Sequence, residues 1–190
     1  MIEPEPDLLV TGERVALGPL RRDLAATYAS WMNQPEVRFG AEYLAVATAE
    51  SQEAWVEEVN KAGARNNADS VWFTVYDLTD RLPVGTTGLS DINHQQGNAT
   101  FGISLGERRG QGLGGEATRL CLDWAFHVVG LQNVLLEALL SNEAAIRAYE
   151  KAGFRRVGVR RGAAMTRGRR EDVIVMDAIP SDLPVSVIAP

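Results

Sequence analysis

Apolar and polar positions along this 190-residue chain change period several times, and each change predicts an element boundary. After a Pro- and Glu-rich arm over residues 1–7, positions 8–20 alternate and predict a first strand. Asp23 stands where a helix cap belongs. Leu24, Tyr28, Trp31 and Met32 share one face of a helix over 24–32, and Pro35 ends it before a short stretch over 36–39. Thr48 predicts the cap of a second helix over 50–61, with Trp55, Val56 and Val59 turned inward and Gly63 as its stop.

From residue 71 the pattern becomes β-branched and aromatic. Residues 71–76 and 82–92 predict an antiparallel pair across the turn 77–81, and a further turn over 94–98 leads to a third strand over 99–105. Helical spacing returns over 114–129, followed by an apolar strand over 133–140 and a helix over 143–152 that Gly153 terminates. Two last strands are expected over 154–160 and 172–178, with the Gly- and Arg-rich stretch between them as a loop. No internal repeat is present.

Composition narrows the function classes. With 45% hydrophobic and 23% charged residues the chain has material for one sizeable core. A net charge of −6 and a pI near 5.0 argue against a sequence-independent grip on nucleic acid. The basic runs Arg155-Arg156, Arg160-Arg161 and Arg167 to Arg170 are taken as solvated strand and loop charge in preference to a contact for an anionic substrate. Cys121, the single cysteine, rules out an internal disulfide and suits a reducing cytoplasm. It falls on the stripe Ala117, Leu120, Cys121, Trp124, Ala125, Val128, so core packing is expected rather than nucleophilic duty. His94 and His127 lack the neighbours a metal site needs, and no metal is expected. Neither a signal peptide nor a bilayer-length apolar run is recognisable, so no membrane partner is expected.

Candidate chemistry concentrates between the third strand and the helix that follows it, in Gly106-Glu107-Arg108-Arg109-Gly110-Gln111-Gly112-Leu113-Gly114-Gly115-Glu116. N–H groups of a helix's first turn have no partner within the helix, and the peptide dipoles favour an anion there. Glycines at 110, 112 and 114 let a diphosphate approach the main chain. A nucleotide P-loop would require Lys and Ser or Thr after its last glycine, where Gly115 and Glu116 stand. Gly110, Gly112 and Gly115 also match a dinucleotide-binding triplet. That fold wants a parallel strand running directly into the first glycine and an acidic residue closing the next strand, and neither condition is met well.

Arg109-Gly110-Gln111-Gly112-Leu113-Gly114 resembles the acyl-CoA motif of the GNAT superfamily of N-acetyltransferases. Asn142-Glu143-Ala144-Ala145-Ile146-Arg147-Ala148-Tyr149-Glu150-Lys151-Ala152-Gly153-Phe154 resembles that superfamily's second motif, at the expected distance downstream. Upstream, Gly12-Glu13-Arg14-Val15, Pro19-Leu20, Asp23 and Trp31 to Val37 resemble the opening of its Rim-type branch, which includes ribosomal-protein N-acetyltransferases and small-molecule relatives. The resemblance spans roughly residues 8–179. It implies an α+β GNAT fold: a central mixed, mostly antiparallel sheet of six to seven strands, splayed between 99–105 and 133–140 and flanked by about four helices. Residues 8–180 then form a single acetyltransferase domain, with 181–190 as a tail.

The same resemblance implies a cytoplasmic enzyme that uses acetyl-CoA as co-substrate and acetylates a small-molecule amine or a peptide N-terminus. The main chain of Ile103, Ser104 and Leu105 would pair with pantetheine, and the N–H groups of Arg109, Gly110, Gln111, Gly112, Leu113 and Gly114 would hold the diphosphate. Asn142 would steady the pantetheine from its other side or simply cap its helix, and the two roles are compatible. Tyr149 matches the tyrosine that protonates the departing thiolate, against the alternative of an inward-facing aromatic. Glu137 resembles the glutamate used as general base in ribosomal-protein N-terminal acetyltransferases. A carboxylate between Leu136 and Ala138 either faces a wet cleft or pairs with an arginine, and Asp91 and Glu107 are the reserve bases. Ala145 replaces a serine found in many relatives. The stretches 39–48 and 163–170, where acceptor choice is expected, carry no substrate signature. A non-catalytic acyl-CoA-binding module is the competing function, and a homodimer is expected from the apolar run Leu183 to Ile188, which packs either on a neighbour or on the domain's own edge.

Overall fold

In the computed structural model, which describes residues 5–40, 45–63, 67–183 and 185–188, eight strands form one sheet in the order β1-β2-β3-β4-β5-β6-β8-β7. The strands are β1 (Val10–Thr11), β2 (Val15–Pro19), β3 (Val71–Asp77), β4 (Pro83–Asn93), β5 (Asn98–Leu105), β6 (Asn133–Leu139), β7 (Arg155–Thr166) and β8 (Arg169–Ala178). Five helices flank them: α1 (Ala25–Met32), α2 (Pro35–Gly40), α3 (Ala49–Gly63), α4 (Leu113–His127) and α5 (Glu143–Ala152). Every pairing is antiparallel except β5 with β6, which is parallel and confined to Asn98–Thr100 against Asn133–Leu135. Beyond that point β5 continues with β4 as its only strand neighbour among the described residues, while β6 continues with β8. The sheet therefore splays open between the C-terminal halves of β5 and β6, where the sequence expected it.

Strand alternation sorts side chains onto two faces. Phe73 and Val75 of β3, Phe101 of β5, Leu136 of β6 and Met176 of β8 meet Leu113, Leu120 and Cys121 of α4 and Ile146 of α5 in the main core. Trp72, on the opposite face of β3, packs with Tyr28 and Trp31 of α1 and Val56 and Val59 of α3. Each fully buried side chain of this size contributes roughly 1.5–3 kcal/mol. A hydrogen bond of 2.5 Å between Tyr28 Oη and Thr74 Oγ1 fixes α1 on the sheet.

Several boundaries differ from expectation. The first strand is two, because Glu116 Oε1 accepts from the N–H groups of Glu13 (2.6 Å) and Arg14 (2.9 Å) and draws the intervening turn onto the start of α4. Asp23 caps nothing. It pairs with Arg21, and α1 grows out of a 3-10 turn over Arg22–Leu24. The stretch after Pro35 is itself helical, since proline's fixed φ suits a first helical position. Thr48 does cap α3, accepting from Ser51 N at 3.2 Å, but the helix runs through Gly63.

The Arg-rich stretch expected as a loop is strand: β7 and β8 meet at a two-residue turn, with Arg167 and Gly168 at φ 49° and 73°. Paired positive φ values match the strands' twist and make the tightest hairpin. Val128 leaves the apolar stripe, at 49% exposure beyond the end of α4. The tail packs on its own domain: Leu183 and Ile188 join the main core, and buried Asp123 of α4 accepts from Ser186 Oγ (2.6 Å), Val187 N (2.7 Å) and Ile188 N (3.3 Å).

Candidate active site

Between β5 and α4 the backbone alternates in handedness, with Arg108, Gly110 and Gly112 at φ 51°, 78° and 85°. Such alternation turns successive N–H groups toward one side and forms an anion-binding concavity. A Cβ added at Gly110 would meet nothing within 4 Å, and at Gly112 only Arg14 Nη1 at 3.4 Å. Gly112 is the N-cap of α4 and no side chain caps it, so the first-turn N–H groups remain available to a ligand. Leu113 is fully buried, so only its main chain is on offer to a ligand.

The loop is tied down from three sides. Arg108 donates through Nη1 to Asp77 Oδ2 at 2.5 Å and through Nη2 to Asp80 Oδ2 at 2.5 Å. Asp77 also accepts from Thr79 N at 2.8 Å, and that bond together with Arg108 holds its carboxyl down at about 2. Arg14 Nη1 donates to the Gln111 carbonyl at 2.9 Å. Gly106 lies flat on the Trp31 indole, where an added Cβ would fall 2.0 Å from Cγ. The Arg109 side chain turns away from the concavity: its Nη2 donates to Gln34 Oε1 at 2.7 Å and stands 3.8 Å from Glu36. Arg108, Arg14 and Asp77 were not singled out from sequence, because no local pattern marks partners so far apart in the chain.

Ile103, Ser104 and Leu105 pair with Thr87, Thr86 and Gly85 of β4 on one edge and line the open splay with the other. Tyr149 stands against Phe101 and Phe154, with ring centroids 6.1 Å from each. Its hydroxyl has no hydrogen-bond partner among the described residues, and burial pushes its pKa up to about 12. Asn142 caps α5, its Oδ1 accepting from Ala145 N at 3.2 Å. Tyr149 rests on Phe101 of β5, and an added Cβ at Gly115 would lie 3.7 Å from the Ala148 carbonyl, so the start of α4, β5 and α5 are neighbours at the splay.

Glu137 lies on the other face of the sheet, the one shared with Thr100 and Trp72. Of its two readings the pairing with arginine is the one realised: Arg160 Nη1 donates to both carboxylate oxygens at 2.5 and 2.6 Å, with the side chains 41% and 56% exposed. Asp91 sits at the far end of β4, past the Ser90 to Thr100 pair and away from the splay. Glu107 is at the opening and accepts from Trp31 Nε1 at 3.3 Å. The arginines of the β7–β8 hairpin are exposed. Arg155 pairs with Asp182, Arg156 with Glu150, and Arg167 lies 4.8 Å from the Phe39 ring centroid.

The Acetyltransferase (GNAT) domain family model matches residues 14–155. The chain belongs to the GNAT acetyltransferase family. A curated relative, the Probable N-acetyltransferase YjcK of Bacillus subtilis (strain 168), is 30% identical over 112 residues, which cover 58% of this chain and 62% of that protein. The Spermidine N(1)-acetyltransferase of Escherichia coli (strain K12) is 37% identical over 76 residues, 40% of this chain and 41% of that protein. Spermidine N-acetyltransferase from Vibrio cholerae, solved in complex with CoA and spermine, has the same fold at a TM-score of 0.79 and 22% identity, over 90% of this chain and 99% of its own. Ribosomal-protein-S5-alanine acetyltransferase from Vibrio fischeri superposes at a TM-score of 0.78 and 20% identity, over 94% of this chain and 100% of its own. Both the Rim-type and the spermidine-acetylating branches are therefore structural neighbours of this GNAT domain. Among the described residues no group of His, Cys, Asp or Glu is placed to hold a metal, and no helix is long and apolar enough to cross a membrane.

Proposed function

We propose that this chain is an acetyl-CoA-dependent N-acetyltransferase that passes the acetyl group directly to a primary amine of a small metabolite or a peptide terminus. One observation carries the reading: among the described residues, the alternating-handed loop at Arg108, Gly110 and Gly112 opens beside an edge of β5 that no strand covers and a Tyr149 hydroxyl that makes no hydrogen bond. These residues fit the co-substrate, because the space beyond Gly110 is open where any Cβ would intrude on a diphosphate. Main-chain N–H groups from Arg109 to Gly114 take the diphosphate, and Ile103 to Leu105 pair with the pantetheine as a further strand would. Asn142 uses Oδ1 for its cap and keeps its Nδ2 donors for the ligand.

Acetyl-CoA supplies the acetyl group as a thioester. Tyr149 keeps its phenolic proton at neutral pH, because burial disfavours the phenolate, and gives that proton to the departing sulfur. Glu137, held in place by Arg160, takes the proton that the attacking amine must lose. Acid and base thus approach from opposite faces of the splay. No protein nucleophile takes part: Cys121 is fully buried and its thiol is pushed up to about 12.

Thiol release from acetyl-CoA, followed with a thiol-reactive dye against parallel panels of peptides and small amines, tests the proposal. Amine-dependent release is expected. Clear acetyl-CoA binding by calorimetry with no release on either panel would establish the non-catalytic alternative.

A further inference from the structure

Arg109 belongs to the glycine loop, yet its guanidinium engages a different element. Nη2 donates to Gln34 Oε1 at 2.7 Å and stands 3.8 Å from Glu36, and Nη1 donates to the Leu105 carbonyl at 3.4 Å. One side chain thus ties the end of β5 to the residue before α2 and to the first turn of that helix. A second tie lies beside it, where Trp31 Nε1 in the last turn of α1 donates to Glu107 Oε1 at 3.3 Å. Asn33, just before α2, exchanges two bonds with Ala47, just before α3, accepting from its N–H at 3.1 Å and donating to its carbonyl at 2.8 Å.

What α2 is held across follows from its two ends. Gln34 and Glu36 meet Arg109 of the loop that follows β5. Phe39, in the last turn, lies under Arg167 at the tip of the β7–β8 hairpin, and β8 is the neighbour of β6. Because β6 runs parallel to β5 and ends at the Leu139–Val173 pair, that tip and the glycine loop stand at the same end of the sheet. β5 and β6 are the two sides of the splay, so α2 reaches from one side to the other. It follows directly on α1, which packs against Trp72 on the sheet face that also carries Glu137.

We infer that the Arg109 side chain is a positioning residue for the acceptor rather than a ligand of the co-substrate. It fixes α2 as the wall along which the amine enters, and only its main-chain N–H serves the diphosphate. This inference rests on the acetyl-transfer reading given above. Arginine suits the task, because its planar fork serves two acceptors at once, here a carbonyl on one element and a side-chain amide on another. With the Arg109 side chain 41% exposed, water competes for the contact, so its loss corresponds to about three- to tenfold in an equilibrium.

Two variants of the full chain test the assignment: Gln34→Leu removes the acceptor of the bond and Arg109→Met the donor. Each is expected to raise the KM of an amine that the wild-type protein acetylates by about three- to tenfold, with a smaller effect on kcat and an unchanged calorimetric Kd for acetyl-CoA. The double variant should lose no more than the worse single one, because both substitutions remove the same bond. Arg109→Lys, which keeps a donor, should recover part of the loss. Amide exchange should quicken by a similar factor at Arg38, whose N–H donates to the Gln34 carbonyl at 2.9 Å, and not in β3 or β4. An unchanged acceptor KM, a Kd for acetyl-CoA that rises as much as the acceptor KM, or fully additive losses in the double variant would overturn the assignment. If the wild-type protein acetylates no amine, the transfer reading fails separately. Exchange and calorimetry then decide the role of Arg109, faster exchange confined to α2 with an unchanged Kd supporting it and unaltered exchange overturning it.

Discussion

Replacing Tyr149 by phenylalanine removes one hydroxyl and nothing else that the fold uses. The ring's contacts with Phe101 and Phe154 are retained, and no hydrogen bond is broken, because the hydroxyl has no partner among the described residues. Stability should therefore change by less than about 0.5 kcal/mol, a shift in Tm of under about 2 °C for a chain of this size. A positioned general acid contributes typically 10²–10⁴-fold, so kcat should fall by about tenfold at the least, even if water supplies the proton in part. Acetyl-CoA affinity by calorimetry should be unchanged, since none of the contacts proposed for the diphosphate and pantetheine involves the phenol. With the phenol at about 12, the wild-type rate should show no descending limb from tyrosine ionisation below about pH 11. An undiminished kcat would refute the acid role, and a Tm lowered by several degrees would show that the phenol is structural.

Glu137→Gln should lower the rate at neutral pH and recover part of it at alkaline pH, where the amine is already neutral; no recovery in a pH–rate profile would leave Glu137 as Arg160's structural partner. Because that ion pair is exposed, the substitution should cost no more than about 1 kcal/mol in chemical denaturation. Arg108→Met frees the glycine loop, and the KM of acetyl-CoA should rise about tenfold or more with little change in kcat. Asp77's depressed pKa gives stability that is complete above its ordinary value of 3.8 and fades as pH falls to about 2. In Arg108→Met the acid loss, followed by circular dichroism, should begin at higher pH. Asp123→Ala strips the tail's N–H and hydroxyl groups of their acceptor and should destabilise by about 1–3 kcal/mol, with earlier proteolytic cleavage near Ser186; an unaltered cleavage pattern would mean that apolar packing of Leu183 and Ile188 suffices.

What the sequence determined by itself was local. The period of its apolar positions placed the strands and most helices within a few residues, because side-chain spacing along one segment decides which face can be buried. The glycine run and the Asn142 to Phe154 helix were legible for the same reason, since backbone freedom, a cap and a stop are properties of neighbouring residues. The β7–β8 hairpin was missed because its Gly- and Arg-rich residues read as a polar loop while in the fold they pair as exposed strand, and Asp23 misled because Arg21 competes for it. Tertiary structure alone decided the pairs that reach across the chain. These are Arg108 with Asp77, Arg14 with Gln111, Glu137 with Arg160 and Asp123 with the tail. A charged side chain's role is set by what the fold brings within about 3 Å of it, and no spacing along a single segment encodes that distance.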